Sequence, residues 1–408
     1  MIKKWFQNIG PGPLIAAAFI GPGTVTVCTL AGVNYGFALL WAMVFSIIAT
    51  VVLQEMSARL GIISQKGLSE IVRTEIKNSL IRGFVVILIL SAIVIGNAAY
   101  EAGNISGGVL GLETILGNPS FKMGNFTVNI LSLIIGALAF LLLYIGNYKM
   151  LERVLVTLVI LMSSAFLVTA IMTKPDFSAI FSGIFKFKTP ENSLITIIGL
   201  IGTTVVPYNL FLHASLVKEK WKHESDLKYA KKDTIIAIVL GGIVSMCIII
   251  SAAAIQSQAV NDTSDLAKGL EPLFGSFSKY FLAIGLFAAG ITSAITAPLA
   301  AAYVATGCLG LNTNLKSIHF RAVWMFILFL GIIFSLIGFK SIEIIKFAQF
   351  TNGLLLPVIA GLLLWIVNKS SILGRYKNTL FQNILGFIIV ATTIFLGVKS
   401  ILKVFNIF

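Results

Sequence analysis

The sequence predicts an all-α integral membrane protein of about eleven transmembrane helices, the first and sixth of them broken at mid-span. Three observations predict it. The chain has 408 residues, of which 57% are hydrophobic and only 11% charged, which excludes an ordinary soluble domain. Apolar runs long enough to cross a bilayer recur at about 13–31, 36–58, 80–108, 126–146, 150–172, 193–217, 233–257, 272–308, 320–338, 342–367 and 380–404. Two of these runs carry helix breakers at their centres: Phe19-Ile20-Gly21-Pro22-Gly23-Thr24 and Gly202-Thr203-Thr204-Val205-Val206-Pro207-Tyr208-Asn209.

In the first run, Pro22 lacks an N–H and clashes with the preceding turn, and Gly21 and Gly23 are poor helix formers. The helix therefore splits, and bare backbone at membrane depth is tolerated only where protein or a cavity surrounds it. Met1-Ile2-Lys3-Lys4-Trp5 is followed by a Gly/Pro run, so no cleavable signal peptide is expected. After the second run, 58–79 alternates Arg59, Lys66, Glu70, Arg73, Glu75 and Lys77 with apolar residues, which suits a short amphipathic helix at the membrane face. The third run is long and carries Glu101 at depth, where an ionisable side chain is a functional candidate. Runs four and five meet at Tyr144, Asn147 and Tyr148, read as interfacial anchors.

The sixth run repeats the break of the first. The lysines of 218–232 follow it and the seventh run comes next. The loop 257–271 is acidic, with Asp262, Asp265 and Glu271. Run eight is again long and holds Thr292, Ser293 and Thr296, the first and last one turn apart on one face. Run ten contains a polar island, Gln349, Thr351 and Asn352. Cys28, Cys247 and Cys308 all lie in apolar runs without metal or disulfide spacing, as small buried hydrophobes do.

The net charge of +14 does not indicate a nucleic-acid partner. With the N-terminus in the cytoplasm, about two-thirds of the 30 Lys and Arg fall on the cytoplasmic side, which places the C-terminus outside. Five runs follow from each break, so the second half enters from the opposite side. The pattern fits inverted repeats of about 10–172 and 193–367 in one transmembrane domain, plus an extra helix at 380–404. Paired broken helices point to a substrate site between them; the alternative is a pair of ligand-free proline kinks. No Walker loop, nucleophile elbow, zinc spacing or carboxylate pair indicates an enzyme.

Gly10-Pro11-Gly12-Pro13 leading into Phe19-Ile20-Gly21-Pro22-Gly23-Thr24, then Ala58-Arg59-Leu60-Gly61-Ile62, and Gly199 through His213 resemble the NRAMP family of metal transporters. The resemblance runs from about 10 to 367. It implies a LeuT-type fold and proton-coupled uptake of divalent transition metals. It also implies roles for Glu101 and His213 in a polar relay, and a tenth helix flanking the ion. The departures from the family pattern fall on the ion site. Where the family reads Asp-Pro-Gly-Asn, this chain has Gly21-Pro22-Gly23-Thr24. Where it reads Met-Pro-His, this chain has Val206-Pro207-Tyr208. The relay's aspartate position is Ala98.

A bare divalent cation at the midplane needs formal negative charge or its own water shell. The groups remaining at the breaks are Thr24, Thr26, Thr203, Thr204, Tyr208, Asn209 and main-chain groups around Gly21, Gly23 and Val206, with Gln349 or Asn352 as further ligands. Outgoing half-helices present N–H groups that favour an anion. The expectation is a small inorganic anion such as bicarbonate. An anion entering a negative-inside cell moves uphill by roughly 2.3 kcal/mol per charge per 100 mV. A sodium ion held by Ile20, Thr292, Ser293 and Thr296 offsets that, as in LeuT-type transporters; no other cofactor is expected. The alternatives are a divalent-cation transporter of Mg or Mn type, and a membrane sensor without transport. The expected setting is a prokaryotic plasma membrane, with the lipid bilayer as the only macroscopic partner. Oligomeric state is not legible.

Overall fold

The computed structural model describes residues 10–12, 15, 20–123, 126–145, 148–254, 275–336 and 341–404. Among these, eight apolar helical spans are long enough to cross a membrane, one of them the interrupted span Leu194–Lys220, and Ile130–Ile145 is a shorter apolar helix. The first predicted run is described only in part, and the acidic loop 257–271 lies outside the described residues.

The helices are α1 (Pro22–Tyr35), α2 (Leu40–Ser64), α3 (Leu68–Glu75), α4 (Ser79–Leu116), α5 (Ile130–Ile145), α6 (Tyr148–Met172) and α7 (Phe177–Phe185). They continue with α8 (Leu194–Thr204), α9 (Pro207–Lys220), α10 (Leu227–Ala253), α11 (Ser278–Leu309), α12 (Ile318–Leu336), α13 (Ser341–Val367) and α14 (Leu380–Val404). Both breaks are present. Before α1, Gly21 is extended (φ −105°, ψ −175°) and Pro22 is the first helical residue. Between α8 and α9, Val205 leaves the helix and Val206 is extended (φ −74°, ψ 121°), with Pro207 opening α9. Proline suits the first helical position because that N–H has no intrahelical partner anyway.

Three expected boundaries need correction. Residues 126–129 are not membrane helix. Strands β1 (Ser120–Met123) and β2 (Phe126–Asn129) pair antiparallel, Ser120 opposite Asn129. Asn129 then turns the chain into α5: its Oδ1 accepts the Leu131 N–H at 2.9 Å, and its amide donates to Glu113 at 2.6 Å. The connection read as 109–125 begins later than expected, because α4 runs for 38 residues to Leu116, about 57 Å at 1.5 Å per residue. That exceeds a bilayer's hydrocarbon core, so α4 projects beyond it. At 58–79, α2 continues to Ser64, and only Leu68–Glu75 is the separate amphipathic helix.

The core is built around α4 packed along α11, with α12 and α13 also on α4. Backbones touch where α4 and α11 cross: a β-carbon on Gly290 would lie 2.6 Å from the Gly108 Cα. Small residues permit this approach, and in lipid such packing holds helices together. The two broken segments pack reciprocally. α1 lies against α10, while α8 and α9 lie against α2. Large side chains such as Ile87, Phe326, Phe387 and Phe395 are exposed on the outer faces of their helices, as expected of surfaces that meet lipid.

One end of the bundle gathers the segments predicted to share the cytoplasmic side. Lys218 pairs with Glu70 at 2.9 Å, Lys369 with Glu75 at 3.5 Å and Arg375 with Glu224 at 2.8 Å. Arg59 donates to the Tyr376 carbonyl, the Asn378 side chain and Glu55. The Asp233 carboxylate accepts the Gly10 N–H at 2.9 Å and the Gly12 N–H at 2.7 Å.

Candidate functional site

The two breaks meet at the centre of the bundle. Thr24 Oγ1 and Thr203 Oγ1 are 2.7 Å apart, so a buried hydrogen bond joins the first turn of α1 to the last turn of α8. Neither outgoing half-helix has a side-chain cap: the N-cap residues are Gly21 and Val206. The first-turn N–H groups and the positive end of each helix dipole therefore face the break.

The glycines of the first break make room for groups from other helices. A β-carbon on Gly21 would collide with the Ser293 hydroxyl of α11, and it would lie 3.7 Å from Tyr100 Oη of α4. A β-carbon on Gly23 would collide with the side-chain amide of Gln349 from α13. Pro22 is seated on Gly107 of α4 in the same way. The sixth break adds Tyr208. Its ring meets Tyr100 edge-on with centroids 5.5 Å apart. Tyr100 also shares hydrogen bonds with Tyr208 and Gln349, and Tyr208 with Thr296.

Of the predicted site residues, Gly21, Gly23, Thr24, Thr203, Tyr208 and Gln349 come together here. Val206 is buried at the break but offers only its main chain. Thr204 turns away, donating to the Leu200 carbonyl at 2.9 Å. Asn209 is fully buried in the first turn of α9, and neither atom of its amide has a partner in the protein. Asn352 lies near Gly96 of α4, its Nδ2 likewise unpartnered. Tyr100 was missed by sequence reasoning. The signal was available: Gly96, Tyr100, Asn104 and Gly107 form a helical stripe on α4, and its neighbours at the break are named above.

The proposed sodium ligands divide. Thr292 donates to the Ala288 carbonyl at 2.6 Å, and Thr296 to the Thr292 and Ser293 carbonyls at 3.2 and 3.3 Å. Ser293 makes no such bond; its hydroxyl is buried, unpartnered and set against Gly21. Ile20 is buried beside the break.

The relay candidates Glu101 and His213 are not joined, and Glu101 does not pair with Arg321 either. Glu101 accepts from Asn104 at 3.3 Å, its Oε1 has no partner, and its stem packs on Gly331 of α12. His213 is held by Gln54 at 2.8 Å and Thr234 at 3.5 Å. Arg321 instead stacks on the Tyr144 ring, 4.6 Å from its centroid, and donates to the Tyr144 carbonyl. Tyr144 is thus a partner for Arg321 as well as an apolar surface residue; Asn147 lies outside the described residues. The reason is geometric: Glu101 faces α12, whereas His213 faces α2 and α10.

Chemically, the centre is a cage of hydroxyls, amides and backbone dipoles. Among the described residues, no group of three His, Cys, Asp or Glu side chains is placed to hold a metal ion.

Residues 12–403 match the family described as natural resistance-associated macrophage protein-like, Nramp. The chain is 24% identical over 408 residues to the divalent metal cation transporter MntH of Verminephrobacter eiseniae, covering 98% of this chain and 89% of that protein. Its fold is similar to that of a single-site mutant of the Eremococcus coleocola manganese transporter, with a TM-score of 0.79 at 21% identity, over 99% of this chain and 87% of that one. It is also similar in fold to MhsT in complex with L-phenylalanine, with a TM-score of 0.65 at 14% identity, over 95% and 98% of the two chains. The chain is an integral membrane transporter, not an enzyme, and it belongs to the Nramp family.

Proposed function

We propose that this Nramp-family transporter carries a small inorganic anion of the bicarbonate type by alternating access, using the cage at the two breaks. The observation that carries the reading is the filling of the first break. The place a side chain of residue 21 would take is occupied by the neutral Ser293 hydroxyl, and the facing groups Thr24, Thr203, Tyr100, Tyr208 and Gln349 are neutral too. A desolvated divalent cation there would lack compensating charge, whereas hydroxyl and N–H donors at two helix N-termini favour an anion. Uphill entry is offset by a co-transported sodium ion at the Ile20 carbonyl and the Thr292 and Thr296 oxygens. The N-terminus lies in the cytoplasm and the C-terminus outside, by the distribution of Lys and Arg.

A second reading has its own support. The similar proteins are named divalent metal cation and manganese transporters, and that similarity favours a metal cation as substrate. In this chain the ion would then be ligated by neutral oxygens and carried with part of its water shell, which magnesium gives up reluctantly.

Proteoliposomes containing the purified chain separate the two. One set holds a metal-sensitive dye and is offered Mn or Mg; the other holds a pH-sensitive dye and is offered bicarbonate. Bicarbonate-dependent alkalinisation without metal flux supports the anion reading. Metal flux without alkalinisation overturns it in favour of the second. Uptake unchanged when a large organic cation replaces sodium removes the sodium step.

A further inference from the structure

Ser293 behaves unlike its neighbours. Thr292 and Thr296, on the same helix, satisfy their hydroxyls on carbonyls of the preceding turn, the usual resting state of a helical hydroxyl in lipid. Ser293 is fully buried, yet its hydroxyl has no partner and lies against Gly21. A buried, unbonded hydroxyl is costly, and a ligand that accepts from it removes that cost. Two residues on along the same break, Gln349 lies against Gly23. Its amide nitrogen is the atom nearest to Gly23, while its Oε1 is buried and unpartnered. The first break thus offers an unused hydroxyl, the uncapped start of α1 and an unused carbonyl-type acceptor.

We propose that Ser293 is a substrate ligand, donating to a small oxyanion seated against Gly21, and that Gln349 Oε1 accepts a hydrogen bond from that anion's own O–H. The site is then selective for an oxyanion that keeps one proton. Bicarbonate has both faces; nitrate has acceptors only and would leave Oε1 unpaired. Unpaired buried groups are how a site rejects an isostere. This inference rests on the anion reading above and assigns Ser293 to the substrate rather than to sodium.

The test uses full-length protein in proteoliposomes with the pH-sensitive dye. Ser293→Ala should raise the KM for bicarbonate by about tenfold or more, the size expected for losing a hydrogen bond to a charged group, with little change in maximal rate. Its melting temperature should match wild type without bicarbonate and should lose the upward shift that bicarbonate gives wild type. Nitrate should not compete with bicarbonate in wild type but should compete in Gln349→Met, which keeps length and removes the acceptor. A wild-type KM in folded Ser293→Ala overturns the role of Ser293. Equal competition by nitrate in wild type overturns the role of Gln349. No bicarbonate flux in wild type defeats the anion reading itself, and this inference with it.

Discussion

The two helix breaks solve one problem in opposite ways. At the first break the chain removes its own side chains. Gly21 and Gly23 leave space, and Ser293 and Gln349 from other helices fill it. At the sixth break the chain keeps bulk: Val205, Val206 and Tyr208 are all buried, and Tyr208 brings its own hydroxyl to Tyr100. The first break is a socket whose chemistry is supplied from outside, and the sixth supplies its own. Substitutions at the first should therefore fail by collision, and at the sixth by loss of a group.

The largest effect is expected at Gly23. Gly23→Ala drives a methyl into the Gln349 amide, an overpacking cost of about 1–3 kcal/mol, and transport should fall by at least about a hundredfold, as a small displacement at a reacting or binding centre can cause. Near-normal flux in this variant would break the comparison. Next comes Tyr208→Phe. It keeps the ring against Tyr100 and removes the hydroxyl, so flux should drop about tenfold, as for one lost hydrogen bond. Its thermal unfolding should shift little, and a large drop in melting temperature would mean the residue is structural. Thr24→Val and Thr203→Val each delete one side of the bond between the breaks. Each should cost about 1 kcal/mol, and the double variant little more, because the pair shares one interaction. Additive losses in chemical unfolding would show that the two hydroxyls do not act as a unit. The smallest effect is expected far from both breaks. Glu224→Gln disturbs an exposed pair with Arg375 and Tyr376, and neither flux nor unfolding should change measurably.

The same contrast explains what was legible in the sequence. Breaks made of Gly and Pro are local, so both were readable from covalent geometry alone. The long spans were readable because lipid demands continuous apolar length. The partners were not readable. Ser293 and Gln349 are 272 and 326 residues from Gly21 and Gly23 in the chain, and only the crossing of α11 and α13 with α1 reveals them. Sequence proximity groups Ser293 with Thr292 and Thr296, but adjacent helical residues point about 100° apart. Glu101 and His213 stand apart for a similar reason, since polarity at membrane depth says nothing about which face a residue occupies. The hairpin at 120–129 escaped because an apolar run that short carries no distinction between strand and helix.

The clamp of Asp233 on Gly10 and Gly12 gives the Gly10-Pro11-Gly12-Pro13 motif a grammar. The two residues that donate an N–H to the carboxylate alternate with two that have none to give. Proline stiffens the lead without wasting a donor, and glycine lets the backbone reach the acceptor. The phase of the alternation sets this contact, and so does the bareness of the two glycines: a β-carbon on Gly12 would lie 2.6 Å from the Asp233 carboxylate and one on Gly10 would collide with the Trp221 ring. Adding residues before position 10 leaves the phase intact. Inserting a single residue between 10 and 12 puts one amide out of reach, and the lead would lose half of its anchorage to α10.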